Sequence, residues 1–465
     1  MSATTSDPTA SCHVVAVPYP GRGHINPLMN LCKLLTTRKP GIHITFIVTE
    51  EWLGFISSDD KPSRVRFATI PNVIPSELVR GADIDSFIEA VMTRMEEPVE
   101  RVLDRLQLPV KLLIADTFLY WAVGIGNRRN IPVASFWPMS ASMFSILYHF
   151  DLFPRNRQYP VDMSEVEDHR IEFIPGISSI RLADLPDIFR PNNEDILSKV
   201  STAVSMATNA QYLLFRSIYE LEKPAIDALK EKLPLPIYTI GPTIPYSDFK
   251  HNASSITKGN IKEDPTNYFQ WLNAQPKNSV LYVSFGSFIP ISSAQMDEIS
   301  KGLRDSGVRY LWVVREAAAW RLEDGGCAKG FIVPWCDQLR VLRHRSVGGF
   351  MTHCGWNSTL ESAFCGVPVL TFPLVMDQSP NSKLLVEDWQ VGWRMKRQMG
   401  KEVLVKGEEI GWKVKIFMDL ESAKRKILEE RCKLIQEMCQ AAIAECGSSE
   451  TSLSEFFKNV FLPMM

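Results

Sequence analysis

His353, Asn357 and Ser358 are hydrogen-bonding side chains gathered where the apolar run Val347 to Met351 gives way to apolar residues at helical spacing, Asn357 to Cys365. Gly366 and Pro368 stop that helix. The spacing predicts a helix N-terminus directly after a buried strand. Its N–H groups and positive dipole end favour an anion, commonly a diphosphate in an open α/β sheet. Asn357 and Glu361 stand four apart and share one helix face, so Glu361 can accept hydrogen bonds from a ribose diol. Trp335 offers a flat apolar face on which a base can stack. Asp377 and Gln378 combine an acceptor-only carboxylate with an amide that both donates and accepts, which suits adjacent sugar hydroxyls. Base, ribose, diphosphate and hexose each find a partner, in order.

A second group lies near the start, in PYPGRGHINPLMNLCKLL from Pro18 to Leu35. Asn26 reads as an N-cap, Pro27 as the first helical residue, and Leu28, Leu31 and Leu35 as one face. His24 is thereby expected in the loop between strand end and helix start, in the crevice where α/β sheets bind ligands. A neighbouring helix N-terminus disfavours an imidazolium, as a general base requires. Asp116 closes the apolar run Lys111 to Ala115, and Ser284 to Ser287 (SFGS) closes another. A small residue, a glycine and a hydroxyl at a strand end can approach a phosphate closely. Taken singly, each has an ordinary structural explanation: a turn histidine, a strand-end cap, a generic turn, a packing tryptophan.

The elements that must position these groups alternate. Short apolar runs at His13 to Val17, Ile42 to Val48, Val65 to Ile70, Leu112 to Ala115, Val133 to Phe136 and Tyr212 to Phe215 read as strands separated by amphipathic segments. Such alternation implies βαβ units and a parallel sheet. Gly241 to Gly259 dissolves into Pro, Ser, Gly and polar residues, as a linker does. A second series follows at Val280 to Ser284, Tyr310 to Val314, Phe331 to Val333, Val347 to Met351 and Val369 to Phe372. Ser292 to Gln295 reads as a capping box ahead of the stripe Met296, Ile299, Leu303. The expected division is 1–240, linker 241–262, 263–440, and a C-terminal helix in 441–465. At 465 residues the chain exceeds one ordinary hydrophobic core.

Charge excludes some partners. With 51 Lys+Arg against 53 Asp+Glu, net −2, there is no basic footprint for nucleic acid or anionic lipid. Nine scattered cysteines with no CxxC argue for a reducing compartment. The start, MSATTSDPTASC, lacks the charged and apolar regions of a secretory signal, so a cytoplasmic protein is expected. Ile131 to Phe150 contains no Asp, Glu, Lys or Arg, but its two prolines, four serines and one histidine fit a buried strand and helix better than a membrane span.

Trp335, Gln338, His353, Gly355, Trp356, Asn357, Ser358, Glu361, Pro373, Asp377, Gln378 and Asn381 together resemble the plant secondary product glycosyltransferase box of the plant family 1 UDP-glycosyltransferases. The Pro18 to Leu35 phrase resembles that family's N-terminal catalytic signature. The resemblance implies an α/β protein of GT-B architecture, two Rossmann-like domains facing across a cleft, with the last helix, Thr451 to Phe461, crossing back onto the first. It implies catalysis by His24 held by Asp116, and donor binding by Ser287, Trp335, Cys336, Gln338, His353, Gly355, Trp356, Asn357, Ser358, Glu361, Asp377 and Gln378. Cys336 stands where many relatives have Ala and contact uracil through the backbone. Phe372 replaces the Trp common before the Pro, and Gln378 accompanies UDP-glucose.

The expected function is an inverting transfer of a hexose, glucose by the resemblance, from a UDP-sugar to a hydroxyl or carboxyl of a small lipophilic plant metabolite. The enzyme is expected to be a monomer and to need no metal or other cofactor, because protein donors neutralise the diphosphate. Alternatives are another UDP-sugar donor, a non-catalytic UDP-sugar or metabolite binder, and a metal-dependent transferase using Asp83 and Asp85 as ligands. An oxidoreductase fails on its fingerprint, since Gly124 to Arg129 (GIGNRR) has Arg129 where a third Gly or Ala belongs. Acceptor-pocket segments are expected at Leu78 to Glu89 and Ser140 to Phe153.

Overall fold

A computed structural model describes residues 12–59, 61–80, 83–156, 168–191, 193–245, 267–286, 291–314, 329–396 and 404–461. Ser287 and the linker expectation for 246–262 lie outside the described residues. Contacts divide the chain into two compact units. The first comprises Met1–Asp151, Asp195–Ile244 and Glu445–Met465, and the second Leu152–Glu194 with Pro245–Ala444.

The strands in chain order are β1 Cys12–Val17, β2 Ile42–Thr49, β3 Val65–Ile70, β4 Val110–Asp116, β5 Val133–Trp137, the two-residue β6 Arg170–Ile171 and β7 Ile180–Arg181, β8 Tyr212–Phe215 and β9 Ile237–Thr239. They continue with β10 Val280–Ser284, β11 Arg309–Val313, β12 Gly330–Val333, β13 Val347–Thr352, β14 Val369–Thr371 and β15 Gly392–Arg394. The first unit holds a parallel sheet ordered β3-β2-β1-β4-β5-β8-β9, and the second one ordered β12-β11-β10-β13-β14-β15. Both are doubly wound: order reverses beside β1 in one and beside β10 in the other, creating a crevice at the carboxyl ends of those strands. The central strands are near-continuous apolar runs because both faces are covered. All six residues of β1 and all six of β13 are buried.

Local chemistry explains several elements. Ser140 caps the helix Ala141–Tyr148 by accepting from the Met143 N–H, which breaks the uncharged stretch after Ile131 into β5 and a buried helix. Among the described residues no helix is long and apolar enough to cross a membrane. Gly124 and Gly126 lie inside the helix Trp121–Arg129 rather than in a strand-to-helix turn. A Cβ on Gly126 would stand 2.2 Å from Val133, so this glycine admits close packing on β5. Ser292 caps its helix as expected, but the Gln295 amide pairs instead with both backbone groups of Val405, at 3.0 and 2.9 Å.

The C-terminal helix Ser448–Phe461 belongs to the first unit, with Phe456 buried against Tyr212 and Tyr238 and Glu450 paired with Arg38. The first domain expected from the sequence runs to residue 240, yet Leu152–Glu194 packs with the second unit. Buried charge holds it there. Asp184, 1% exposed, lies between Arg181 of the same segment and Arg394 of β15, bonding at 2.8–2.9 Å and 2.7–3.1 Å. Ion pairing across 210 residues leaves no trace in local composition.

Candidate active site

In the first unit the crevice beside β1 receives His24 and Asp116. His24 is not in a loop. The helix Arg22–Arg38 begins four residues before Asn26, with Gly21 as N-cap and the His24 and Ile25 N–H groups donating to the Gly21 carbonyl. Pro27 sits inside the helix, where its missing N–H forgoes one bond to the Gly23 carbonyl. His24 therefore projects from the first helical turn. Its Nδ1 bonds Asp116 Oδ2 at 2.7 Å, and the other Asp116 oxygen accepts the Phe118 N–H at 3.1 Å. With the carboxylate fully buried and the imidazole side chain 20% exposed, Nε2 is the ring nitrogen left for a substrate.

Aromatic rings surround the dyad. Tyr19 lies 4.9 Å and Phe118 6.0 Å from the His24 ring, and contacts continue through Phe87, Trp137 and Phe144. Phe87 and Phe144 come from the two segments expected to shape an acceptor pocket. Two buried charged residues support this arrangement. Arg80, buried, donates to the Pro20 carbonyl at 2.9 Å and fills the space a Cβ on Gly21 would need. Glu222, buried, accepts from the Ala141 and Ser142 N–H groups and the Ser142 and Ser217 hydroxyls, seating the start of the helix that carries Phe144. Burial pushes its carboxyl up despite these bonds. Neither has a local signature.

In the second unit the crevice beside β10 holds His353, which follows β13. Cys354 turns the chain at φ 67°, Gly355 caps the helix Trp356–Cys365, and the first helical N–H bond runs from Thr359 to Gly355. The N–H groups of Trp356, Asn357 and Ser358 precede it, in the turn that has no intrahelical acceptors. The His353 ring occupies a slot between two glycines: a Cβ on Gly286 would lie 2.6 Å from its Nε2, and one on Gly355 2.5 Å. Its buried Nδ1 has no hydrogen-bond partner among the described residues. Burial brings its pKa down to about 4, against the Ser284 backbone, so the ring is neutral near pH 7.

Gln338 joins two of the expected donor residues. Its Nε2 donates to Ser358 Oγ at 3.0 Å and to Glu361 Oε2 at 2.8 Å, and its Oε1 accepts from the Tyr282 hydroxyl at 3.2 Å. Burial pushes the Tyr282 phenol well up, so it stays a donor. Cys336 Sγ lies 3.3 Å from the same hydroxyl. Its side chain is thus engaged, whereas the resemblance gave importance only to its backbone. Trp335, 69% exposed, presents an open ring.

Gln378 and Asp377 are more constrained than their sequence suggests. Gln378 Oε1 accepts the Leu374 and Val375 N–H groups at 2.8 and 3.1 Å, leaving only its NH₂ for a ligand. Asn381 Nδ2 bridges Asp377 Oδ2 (2.8 Å) and the Cys354 carbonyl (3.0 Å), tying this turn to the His353 turn. Phe372 is buried against Phe285, 5.4 Å between ring centres. Asp83 and Asp85 sit at a helix start, where Asp83 caps through the Ser86 N–H. Among the described residues no three His, Cys, Asp or Glu side chains are grouped as a metal site requires.

Residues 241–411 match the family described as UDP-glucoronosyl and UDP-glucosyl transferase. UDP-glycosyltransferase 87A2 of Arabidopsis thaliana is 48% identical over 461 residues, covering 99% of each chain. Among solved structures, Medicago truncatula UGT71G1 complexed with UDP-glucose superposes with a TM-score of 0.81 at 26% identity, covering 97% of this chain and 99% of its own. Phytolacca americana UGT2 complexed with UDP-2fluoro-glucose and pterostilbene gives 0.77 at 27% identity, covering 97% and 100%. A doubly wound sheet in each unit, a carboxylate-held histidine in one and the box residues in the other agree with these likenesses: the chain belongs to the plant UDP-glycosyltransferases and is a glycosyltransferase of GT-B fold.

Proposed function

We propose that this enzyme transfers glucose from UDP-glucose, with inversion and without a divalent metal, to a hydroxyl or carboxyl of a small lipophilic acceptor, acting as a cytoplasmic monomer. The His24–Asp116 pair carries this reading. With Asp116 accepting from Nδ1, Nε2 takes the proton of the acceptor hydroxyl, and Asp116 stabilises the imidazolium that forms. The acceptor oxygen attacks the anomeric carbon from the face opposite UDP, and the bond to the diphosphate oxygen breaks. An acceptor carboxyl, already ionised, needs no such base. The aromatic rings around His24 favour a planar or apolar acceptor.

The leaving diphosphate gathers negative charge, and the second unit offers donors for it: the start of the helix Trp356–Cys365, Asn357 and Ser358, with the neutral His353 enclosed beside them. Ser287 joins them by the family resemblance. Trp335 stacks on the base while the Cys336 backbone contacts it, Glu361 and Gln338 take the ribose, and Asp377 with the Gln378 amide takes the hexose. The likeness to a structure complexed with UDP-glucose supports the donor, and one complexed with pterostilbene supports a phenolic acceptor class.

The test is a panel of phenols, terpenoid alcohols and carboxylic acids incubated with UDP-glucose, UDP release and product anomer being measured. A β-glucoside formed in excess EDTA is expected. Activity abolished by EDTA and restored by Mn²⁺, or an α-glucoside product, overturns the metal-independent inverting route.

A further inference from the structure

The turn Leu374 to Gln378 carries the pair assigned to the hexose, and its backbone is held from two sides. Gln378 Oε1 takes the N–H groups of Leu374 and Val375. The next N–H, that of Met376, donates at 2.9 Å to Asp187 Oδ1, 189 positions away in sequence. Met376 is in the left-handed region, φ 57°, a conformation costly for a residue with a Cβ unless its surroundings impose it. Asp187 lies three residues beyond Asp184, whose buried ion pairs with Arg181 and Arg394 anchor the segment to β15. A second anchor lies alongside. Ser178 donates to Asp388 at 2.8 Å, Lys383 pairs with the same carboxylate, and Arg170 pairs with Glu387.

From this geometry we infer that Asp187, which lies outside the Trp335 to Gln378 box, is a positioning residue for sugar recognition. Its carboxylate holds Met376 in the left-handed conformation that sets the direction of Asp377 and the Gln378 NH₂. A charged acceptor on a backbone N–H is among the stronger hydrogen bonds, and without it the half-buried Met376 N–H and its strained φ both favour a different turn. Asp187 touches no substrate; it acts through the backbone of the turn. The segment Leu152–Glu194 is thereby a determinant of which hexose the enzyme accepts. This inference rests on the reading that Asp377 and Gln378 hold the hexose.

The experiment compares two affinities in the full-length enzyme, KM for UDP-glucose and Ki for UDP, because UDP lacks the hexose. Asp187→Ala is expected to raise KM for UDP-glucose about tenfold while Ki for UDP stays within about twofold, and to narrow the preference for UDP-glucose over UDP-galactose. Asp187→Asn, which keeps an acceptor oxygen, restores most of the affinity. Adding Met376→Gly to Asp187→Ala, which removes the penalty on positive φ, recovers part of the loss. If Asp187→Ala does not fold, Asp187→Ser, too short to reach Met376, replaces it in the same comparison. Equal rises in KM and Ki, or no change in either, overturn the assignment. A Gln378→Ala control separates the two readings. If it changes neither KM for UDP-glucose nor the choice of hexose, the hexose assignment itself fails. If it changes them and Asp187→Ala does not, only the role of Asp187 fails.

Discussion

Each unit places a histidine in the crevice of a doubly wound sheet, and the two histidines have opposite surroundings. His24 is partly exposed and bonded through Nδ1 to a buried carboxylate, so a positive charge arising on its ring is matched by a fixed negative one. His353 is enclosed between Gly286 and Gly355, faces the Ser284 backbone rather than a carboxylate, and is driven neutral by burial. The first arrangement suits a base that becomes cationic. The second suits an uncharged ring that shapes the start of the helix Trp356–Cys365. Residue type is the same, and the neighbours decide the role.

The largest test of that contrast removes the base. His24→Ala is expected to lower kcat for alcohol acceptors by about 10²–10⁴-fold with UDP affinity unchanged. His353→Ala is expected to do the reverse, weakening UDP binding by about tenfold or more while the surviving kcat remains well above that of His24→Ala. Isothermal titration with UDP beside turnover with a phenol separates the two, and identical profiles would break the comparison.

The next largest effect is on stability. The folded pKa of His353, about 4, lies below the ordinary 6.5 of histidine. Below pH 6.5 the unfolded chain therefore takes up a proton that the folded chain refuses. Stability is lost as pH falls from 6.5 to about 4, by up to about 3 kcal/mol, and this contribution levels off below that. Denaturant unfolding of wild type and His353→Asn across this range should show the slope shrinking in the variant.

Glycine substitutions sharpen the comparison further. Gly286→Ala places a methyl on the enclosed imidazole at φ 77°, so a loss of about 1–3 kcal/mol is expected, together with weaker UDP binding. Gly21→Ala meets only the tip of the Arg80 guanidinium in extended backbone, so about 1 kcal/mol or less is expected, with UDP affinity retained. Melting curves with and without UDP check both. Smallest is Tyr282→Phe, which takes away the donor that orients the Gln338 amide. KM for UDP-glucose should rise about threefold with kcat nearly unchanged.

The legibility of these features in the sequence varied with their physical origin. The strands from β1 to β5 and β10 to β14 were readable because buried parallel strands are continuous apolar runs. The helix Trp356–Cys365 was readable through its apolar spacing and through Gly366, which adopts φ 66° at its end. Asn26–Pro27 misled, because a cap signal predicts where a helix can begin, and Gly21 offered an earlier start. β9 and β15, three residues each, were too short to announce themselves. Gln378 stands out in the sequence as a candidate, but its preoccupation with two backbone N–H groups depends on how the turn folds.

By itself the sequence determined the fold class and supplied the candidate donor-binding residues. These reside in residues close along the chain, where periodicity, caps and motif spacing act locally. Tertiary structure alone decided which distant groups meet: Asp116 with His24 across 92 positions, Gly286 beside His353, Asp187 beneath Met376 across 189. Sheet order and buried ion pairs set those meetings. Whether a histidine can gain a proton or stays neutral follows from the charge and burial they bring, a property of the folded surroundings and not of the residue.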